Sequence, residues 1–378
     1  MLLRIKGKAI NFDTWLVGRV TRDINAQVES YFLLCEDEVP DAIPNCFVGV
    51  LSTVNLLPSF GRLPVIAQIA SLDHLDENDI VVAFPNGMVN TLYRVNSYHN
   101  TILATERCNS NCLMCSQPPK DKDDIIRQFL IYRQAIPLIP KNCIELGISG
   151  GEPTLMGELF FELLRLLKEQ LPDTELHVLT NGRSFAWEHL AARMGAINHR
   201  GLMLGIPLYS DYYQIHDYIV QAKDAFSQTL LGLHQLARYQ QRIEIRVVLH
   251  QQTIPRLTRL ARYIYKNLPF IEHVAFMGLE HIGYTPHNSE VLWIDPVEYA
   301  EQLGEAVQFL AGQGMRVSIY NAQLCTLPQK LWPYCRKSIS DWKNSYLAEC
   351  SRCIKRSDCG GFFTWNLQRT SRSIKAID

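Results

Sequence analysis

No stretch of this chain approaches the ~18 consecutive apolar residues that a membrane-spanning helix requires. Its opening residues, Met1-Leu2-Leu3-Arg4-Ile5-Lys6, alternate with strand period and lack the apolar run of a signal peptide. The expectation is therefore a cytoplasmic protein without membrane contact. An excess of one charge is missing too, because 37 Lys and Arg meet 38 Asp and Glu for a net charge of −1. No basic stripe with interleaved aromatics appears, which argues against a large nucleic-acid partner. Internal repeats and low-complexity tracts are absent. The histidines show no metal-ligand spacing: His177, His216, His250, His273 and His281 lie scattered, and core or surface roles suit them.

Cysteine, by contrast, is plentiful. Eleven cysteines are many for a cytosolic chain, where disulfides rarely persist and clusters mean metal or catalysis. An odd count also fits a fully paired disulfide framework poorly. Seven lie in two clusters, leaving Cys35, Cys46, Cys143 and Cys335. Cys143 sits in the apolar run Cys143–Ile148 and reads as a buried small hydrophobe.

A length of 378 residues suggests two or three domains of roughly 150 residues. Residues 1–95 carry seven Lys and Arg against eleven Asp and Glu and read as short strands, among them Phe47–Leu51, Ile80–Phe84 and Asn90–Val95. Asn86-Gly87 suits a hairpin turn between the last two. This segment is expected to be a β-rich domain. From about residue 97 the pattern becomes strand, loop, helix, repeated. Candidate strands are Thr101–Thr105, Ile144–Ser149, Glu175–Thr180, Leu202–Leu208, Ile243–Leu249 and Val274–Leu279, with helices at Leu159–Leu171 and Ala222–Tyr239. Continuously apolar strands alternating with helices indicate parallel βαβ units. Six units predict an α/β fold, an incomplete (β/α)6 TIM-like barrel over residues 96–320 with its site at the strands' C-terminal ends. A helix at 296–312 and a strand at Arg316–Tyr320 follow. Residues 321–378 form an irregular, aromatic, cysteine-rich third region.

Cys108, Cys112 and Cys115, spaced Cys-x3-Cys-x2-Cys, fall in the loop after the first of those strands. Three thiolates can hold three irons of a four-iron cluster and leave the fourth open, and an open position marks a catalytic metal site rather than a structural one. A zinc knuckle or three unrelated thiols are the competing readings. After the second strand comes Ile148-Ser149-Gly150-Gly151-Glu152-Pro153-Thr154, whose glycines let the backbone pass close to a ligand. Their amides and carbonyls, with the Glu152 carboxylate, suit a zwitterionic amino-acid head.

The two motifs in this order resemble the radical S-adenosylmethionine (radical SAM) superfamily over roughly residues 100–280. The resemblance implies a [4Fe-4S] cluster on Cys108, Cys112 and Cys115, with SAM chelated to the open iron and split to a 5′-deoxyadenosyl radical. It implies that Gly150, Gly151, Glu152 and Pro153 hold the methionine end of SAM. Polar residues at later strand ends, Thr180, Asn181 and Ser210, would reach SAM, and Arg246 would either pair with its carboxylate or be an inward residue satisfied by a neighbouring acid. Met277-Gly278-Leu279-Glu280 would offer backbone contacts to adenine. Met114 stands where the family usually carries an aromatic near the adenine; it is polarizable and can pack on a π-face. Tyr209, Tyr284 and Glu280 are candidates to line a substrate cavity.

The last constellation is Cys350-Ser351-Arg352-Cys353 and Cys359-Gly360-Gly361-Phe362-Phe363. It resembles the SPASM and Twitch auxiliary-cluster regions of peptide-modifying radical SAM enzymes. Cys325 is the preferred fourth ligand beside Cys350, Cys353 and Cys359, and Cys335 competes for that place. A structural four-cysteine zinc site is the alternative. Leu331-Trp332-Pro333, Ser338–Asn344 and Cys359–Phe363 further resemble the His-Xaa-Ser system radical SAM maturase (HxsC type). That resemblance implies a ribosomally made peptide substrate with His-Xaa-Ser repeats, an electron donor such as flavodoxin or ferredoxin, and a second cooperating radical SAM maturase. A small metabolite or tRNA nucleoside is the alternative substrate, and a zinc-stabilised binding protein without catalysis the alternative class.

Overall fold

The structure, a computed structural model, describes all residues except 1–2, 27–29, 37, 39, 41, 56–61, 338–343 and 368. Most of the Ser338–Asn344 motif therefore lies outside the described residues. The chain packs as two compact units. One comprises Met1–Ile102, Ile125–Leu146 and Leu163–Thr174, the other Leu103–Asp124, Gly147–Glu162 and Glu175–Asp378. No helix among the described residues is long and apolar enough to cross a membrane.

The first unit carries eight short strands: β1 (Arg4–Lys6), β2 (Lys8–Ile10), β3 (Leu16–Thr21), β4 (Tyr31–Cys35), β5 (Gly49–Ser52), β6 (Val65–Ala67), β7 (Ile80–Ala83) and β8 (Met88–Tyr93). Their order is β1-β8-β7-β3-β4-β5-β6-β2. β1 and β2 are halves of one stretch broken at Gly7, and they pair antiparallel with β8 and with β6 respectively. One stretch thus joins both ends of the order, and the sheet closes on itself. Gly7 permits this because a Cβ there would lie 2.3 Å from the Ala67 carbonyl oxygen. Inside, Val20, Phe32, Leu51, Ile66 and Val81 are buried. The β7–β8 turn differs in detail from a plain Asn-Gly turn. Gly87 N donates to Phe84 O, so Pro85 and Asn86 are the central residues and Gly87 takes the left-handed conformation at φ 81°.

A second sheet runs through β9 (Asn100–Leu103), β10 (Glu145–Ser149), β11 (Glu175–Leu179), β12 (Leu202–Pro207), β13 (Arg242–Leu249), β14 (His273–Gly278), β15 (Arg316–Tyr320) and β16 (Cys335–Arg336) in sequential order. From β11 to β16 every neighbouring pair is parallel. This is an α/β fold, and β15 and β16 extend the six strands expected. By register Leu204, Ile206, Ile243, Ile245, Val247, Val274 and Phe276 share one face of the sheet and are buried there, while Glu244, Arg246 and Met277 stand on the other face. The helices are α1 (Ile125–Ala135), α2 (Glu158–Gln170), α3 (Glu188–Ile197), α4 (Tyr213–Val220), α5 (Ala225–Arg238), α6 (Leu257–Asn267), the single turn α7 (Ser289–Leu292) and α8 (Pro296–Gly312). α5 starts three residues later than its apolar pattern suggested, after Asp224 at φ 59°.

α8 has a designed-looking start in physical terms, with Asp295 as N-cap accepting from Val297 N and Pro296 in the first turn. The same carboxylate accepts from Ser371 Oγ (2.5 Å) and Arg372 N (3.1 Å), so it also anchors the C-terminal segment. Burial raises the Asp295 pKa, but those hydrogen bonds outweigh it and hold the carboxyl below its ordinary value. A folded-state pKa below the unfolded one means that this stabilisation is complete above the ordinary carboxylate range and is lost as pH falls through the depressed value. Asp295→Ala should therefore cost about 1 kcal/mol for the cap, with more for the tail contacts. The checks are a lowered urea midpoint, a flattened acid dependence of that midpoint, and faster amide exchange around residues 371–373.

Candidate functional site

The cysteine loop is shaped by backbone groups on three sides. As the chain leaves β9, Ala104 N donates to Ser149 O at 2.8 Å. The buried Asp124 carboxylate then accepts from Thr105 Oγ1 (2.5 Å) and Glu106 N (2.8 Å), while Thr105 Oγ1 accepts from Arg107 N. Further on, Asn111 N and Leu113 N donate to Val220 O and Ile219 O. These are carbonyls of the last turn of α4, which lack intrahelical partners and are free to receive the loop. Opposite, Tyr284 N donates to Cys115 O and Asn288 Nδ2 to Leu113 O.

The Gly150-Gly151 turn is pressed against this loop. Gly151 N donates to Thr105 O (2.8 Å) and Glu152 N to Arg107 O (2.7 Å). A Cβ on Gly150 would sit 2.3 Å from Thr105 O, and one on Gly151 would sit 2.0 Å from Arg107 O. Both glycines thus answer to the approach of the cysteine loop as well as to any ligand. Glu152 is fully buried and its carboxylate is occupied: Oε1 accepts from Thr154 N, Thr154 Oγ1 and Thr180 Oγ1, and Oε2 from Asn181 N. It caps the 3-10 turn Pro153–Met156 and ties the end of β11 to it.

A cavity of about 270 Å3 opens beside both loops. Cys108, Cys112 and Cys115 line it together with Met114, Gly150, Gly151, Thr180, Asn181, Tyr209, Arg246, Met277, Gly278, Leu279, Glu280 and Asn321. Glu152, Pro153, Ser210 and Tyr284 are not among the lining residues; the buried Ser210 hydroxyl accepts from Tyr212 N. Arg183 had no motif to announce it. Its guanidinium donates to Asn109 O, Ser110 Oγ and Gln228 Oε1, and Asn181 Nδ2 reaches Asn109 Oδ1, so the end of β11 grips the cysteine loop. Arg246 does have the neighbouring acid that one of its two readings expected. Arg246 donates to Glu244 (2.9 Å), which also meets His273 Nδ1 (2.6 Å), while His177 lies 3.5 Å away. Burial favours the protonated form of Glu244, but His177, His273 and Arg246 prevail and hold its carboxyl far below the usual range. Strand register explains the meeting, since Glu244 pairs with His273 between β13 and β14. Gly205 leaves the room for it: a Cβ there would lie 2.8 Å from His177 Nε2 and 3.0 Å from Arg246 Cδ. His216 and His250 pack around the Tyr209 ring, and burial pushes both down to about 3, so they are neutral.

All eleven cysteines are free thiols. Burial pushes Cys108 up to about 11 and Cys112 up to about 12, with the charge of neighbouring thiolates adding to both, and burial raises Cys115 as well. Three such thiols so close together become anions at neutral pH only when a cation neutralises them. Among the described residues no three Cys, His, Asp or Glu side chains converge on a single ion. A four-iron cluster, in which each thiolate takes its own iron, requires no such common point.

Also in the second unit, Cys325, Cys350, Cys353 and Cys359 border one small cavity of about 20 Å3 with Tyr346, Lys375 and Ile377. Backbone N–H groups point at their sulfurs: Ile377 N at Cys353 (3.4 Å), Gly361 N at Cys359 (3.5 Å), and the Lys375 backbone at Cys325. Burial nonetheless raises the Cys325 and Cys350 thiols above their ordinary value. Cys335 does not border that cavity. It lies in β16, paired with Ile319, and its Sγ donates to Leu331 O.

Set against known proteins, residues 102–287, just under half of the chain, match the family model described as Radical SAM superfamily. This stretch is a Radical SAM superfamily domain, and the family implies a [4Fe-4S] cluster and SAM. The residues present fit both groups: three thiols and a glycine turn without side chains border one cavity. No curated protein matches the sequence. Among solved structures the chain is similar to SuiB of Streptococcus suis bound to S-adenosylmethionine, with 13% identity and a TM-score of 0.47 over 59% of this chain and 50% of that one. It is similar to anSMEcpe with bound AdoMet and Cp18Cys peptide (18%, TM-score 0.39, 58% and 62%). It is also similar to the coproporphyrinogen III oxidase HemN of Escherichia coli (14%, TM-score 0.43, 58% and 52%). The chain spans about half the length of SuiB and less than two thirds of the other two.

Gly151→Ala should force the glycine turn off the cysteine loop, at a cost of about 1–3 kcal/mol. Iron bound per chain after anaerobic reconstitution is expected to fall with it. Gly312→Ala, where a Cβ meets nothing within 4 Å, serves as the control and should leave iron content unchanged.

Proposed function

We propose that this chain is a radical SAM enzyme that modifies a ribosomally made peptide. The observation that carries the first half of the reading is the arrangement of three cysteines and the Gly150-Gly151 turn on one cavity. When bound on Cys108, Cys112 and Cys115, the cluster supplies the electron that splits SAM into methionine and a 5′-deoxyadenosyl radical able to take hydrogen from a substrate.

The protein's own part is positioning and exclusion of water. Gly150 and Gly151 bring unshielded backbone to the methionine end of SAM. Thr180 and Asn181 hold the neighbouring wall, with Glu152 behind them keeping that wall in shape rather than reaching the cavity. Arg246, oriented from below by Glu244 and lying on β13 beside Gly205, presents its guanidinium to the SAM carboxylate. Met277 to Glu280 form the wall assigned to adenine, with Met114 packing as a soft, polarizable contact.

The peptide half of the reading rests on the C-terminal cysteines. Cys325, Cys350, Cys353 and Cys359 ring one cavity, with backbone donors aimed at their sulfurs, as an auxiliary iron–sulfur cluster would need. Together with the resemblance of Leu331–Pro333 and Cys359–Phe363 to the His-Xaa-Ser system maturase, this favours a small protein with His-Xaa-Ser repeats as substrate. A flavodoxin- or ferredoxin-type donor would supply electrons, and a second radical SAM maturase would cooperate.

The test is anaerobic reconstitution followed by dithionite and SAM. The wild-type protein is expected to yield 5′-deoxyadenosine, and the Cys108→Ala, Cys112→Ala, Cys115→Ala triple variant none. Zinc without iron or sulfide in the purified protein, or retained cleavage by the triple variant, would sink the enzyme reading. Cys350→Ala with Cys353→Ala should remove about half of the bound iron while Cys108–Cys115 keep theirs. A mass change in a His-Xaa-Ser repeat protein incubated with the enzyme checks the substrate; modification of a free nucleoside or metabolite instead would replace it.

A further inference from the structure

The C-terminal segment makes one contact that neither cysteine motif accounts for. After Cys359 the chain turns through Gly360 and Gly361, and Phe362 pairs with Ser345 in an isolated antiparallel bridge. Gln323 Nε2 fixes the Gly361 carbonyl at 2.7 Å, and Tyr346 Oη donates to Cys359 O, so the segment leaves the four-cysteine cavity in a set direction. Phe362 and Phe363 are buried, Phe363 stacks on Trp365, and the next residue is Asn366.

The Asn366 side chain opens onto the loop that follows β14. Its Oδ1 accepts from His281 N at 2.6 Å, and its Nδ2 donates to Leu279 O at 3.1 Å. A carboxamide offers one acceptor and one donor arranged as in a backbone peptide. The fork therefore pairs with residues 279–281 as a neighbouring strand would, at the point where β14 has ended and its register with β15 stops at Met277 and Tyr320. Leu279 and Glu280 are walls of the 270 Å3 cavity. Other contacts hold the tail independently of Asn366. Arg369 donates to Ser289 Oγ and lies over the Trp293 ring, and Ser371 and Arg372 bond to Asp295. Asn366 is thus a fork on a fixed arm, gripping a loop that lines the cofactor cavity.

We infer that Asn366 is a positioning residue that latches the Leu279–His281 wall of the SAM cavity to the segment issuing from the four-cysteine site, so that order at those cysteines sets affinity for SAM. The inference rests on SAM as the occupant of that cavity. In the structure, the path from cysteines to cavity is seven residues of chain, Cys359 to Trp365, ending in one two-pronged contact.

The experiment uses the full-length, anaerobically reconstituted protein, with SAM binding measured by equilibrium dialysis and amide exchange followed at residues 279–281. Asn366→Ala is expected to weaken SAM binding about tenfold, as loss of two hydrogen bonds would. It should also speed exchange at 279–281 while leaving iron, sulfide and thermal midpoint near wild type. Asn366→Asp keeps the acceptor for His281 N but turns an oxygen toward Leu279 O, and should weaken binding at least as much. Cys350→Ala with Cys353→Ala should lower SAM affinity in the wild-type background and add nothing to Asn366→Ala. Unchanged SAM affinity and unchanged exchange in Asn366→Ala, beside a wild-type protein that binds SAM, overturn the latch. A wild-type protein that binds no SAM overturns the reading of the cavity itself, a separate failure seen before any variant is made.

Discussion

Two missing side chains govern this site. Gly150 and Gly151 let the turn after β10 lie directly on the backbone of Thr105 to Arg107, with carbonyl oxygens where Cβ atoms would otherwise be. That contact fixes the entrance of the cysteine loop against the end of the neighbouring strand, and much of the site follows from it. With the two backbones in contact, Glu152 falls inside, where its carboxylate collects four protein donors and needs no ligand to satisfy it. With Glu152 placed, Thr180 and Asn181 are placed, and Asn181 reaches across to Asn109. The thiols, raised by burial, then share one cavity, where a cation would turn them into ligands.

Charge within the second sheet follows a similar logic. Glu244 is almost fully buried, a costly position for an anion unless it is paired. His273, Arg246 and, at longer range, His177 supply the pairing, and the result is a polar floor directly beneath the cofactor-sized cavity. Arg246 therefore cannot be read as a lone cation at a strand end. Its direction is determined by a carboxylate two residues earlier on the same face of β13, as strand alternation requires.

Much of the fold was legible because its signals are periodic and local. The apolar runs at 144–149, 175–180, 202–208, 243–249 and 274–279 became β10 to β14 with ends shifted by a residue or so. Helix 296–312 and strand 316–320 also appeared where read, each with strong local causes such as the Asp295-Pro296 start. The closure of the first sheet was not legible, since nothing local says that one stretch interrupted at Gly7 will pair on one half with β8 and on the other with β6. Among site residues, the cysteines and glycines stand out by type and spacing. Arg183, Asn366 and the meeting of His177 and His273 on Glu244 have no spacing to betray them, because each partner comes from a different strand or loop.

The sequence by itself determined which chemistry is available: three closely spaced thiols, a glycine pair one strand later, four more cysteines near the C-terminus, and a βα alternation to carry them. Those are one-dimensional facts, set by residue type and by the periods of strand and helix. Only the tertiary structure decided how they are used. It placed Glu152 behind the cavity wall, and Cys325 on the small cavity that Cys350, Cys353 and Cys359 border, with Cys335 off that cavity but within reach of the Cys359 charge. It also brought Asn366 onto the loop after β14. The physical reason is that hydrogen bonds between distant segments are fixed by strand order and register, which bring together residues far apart in the chain.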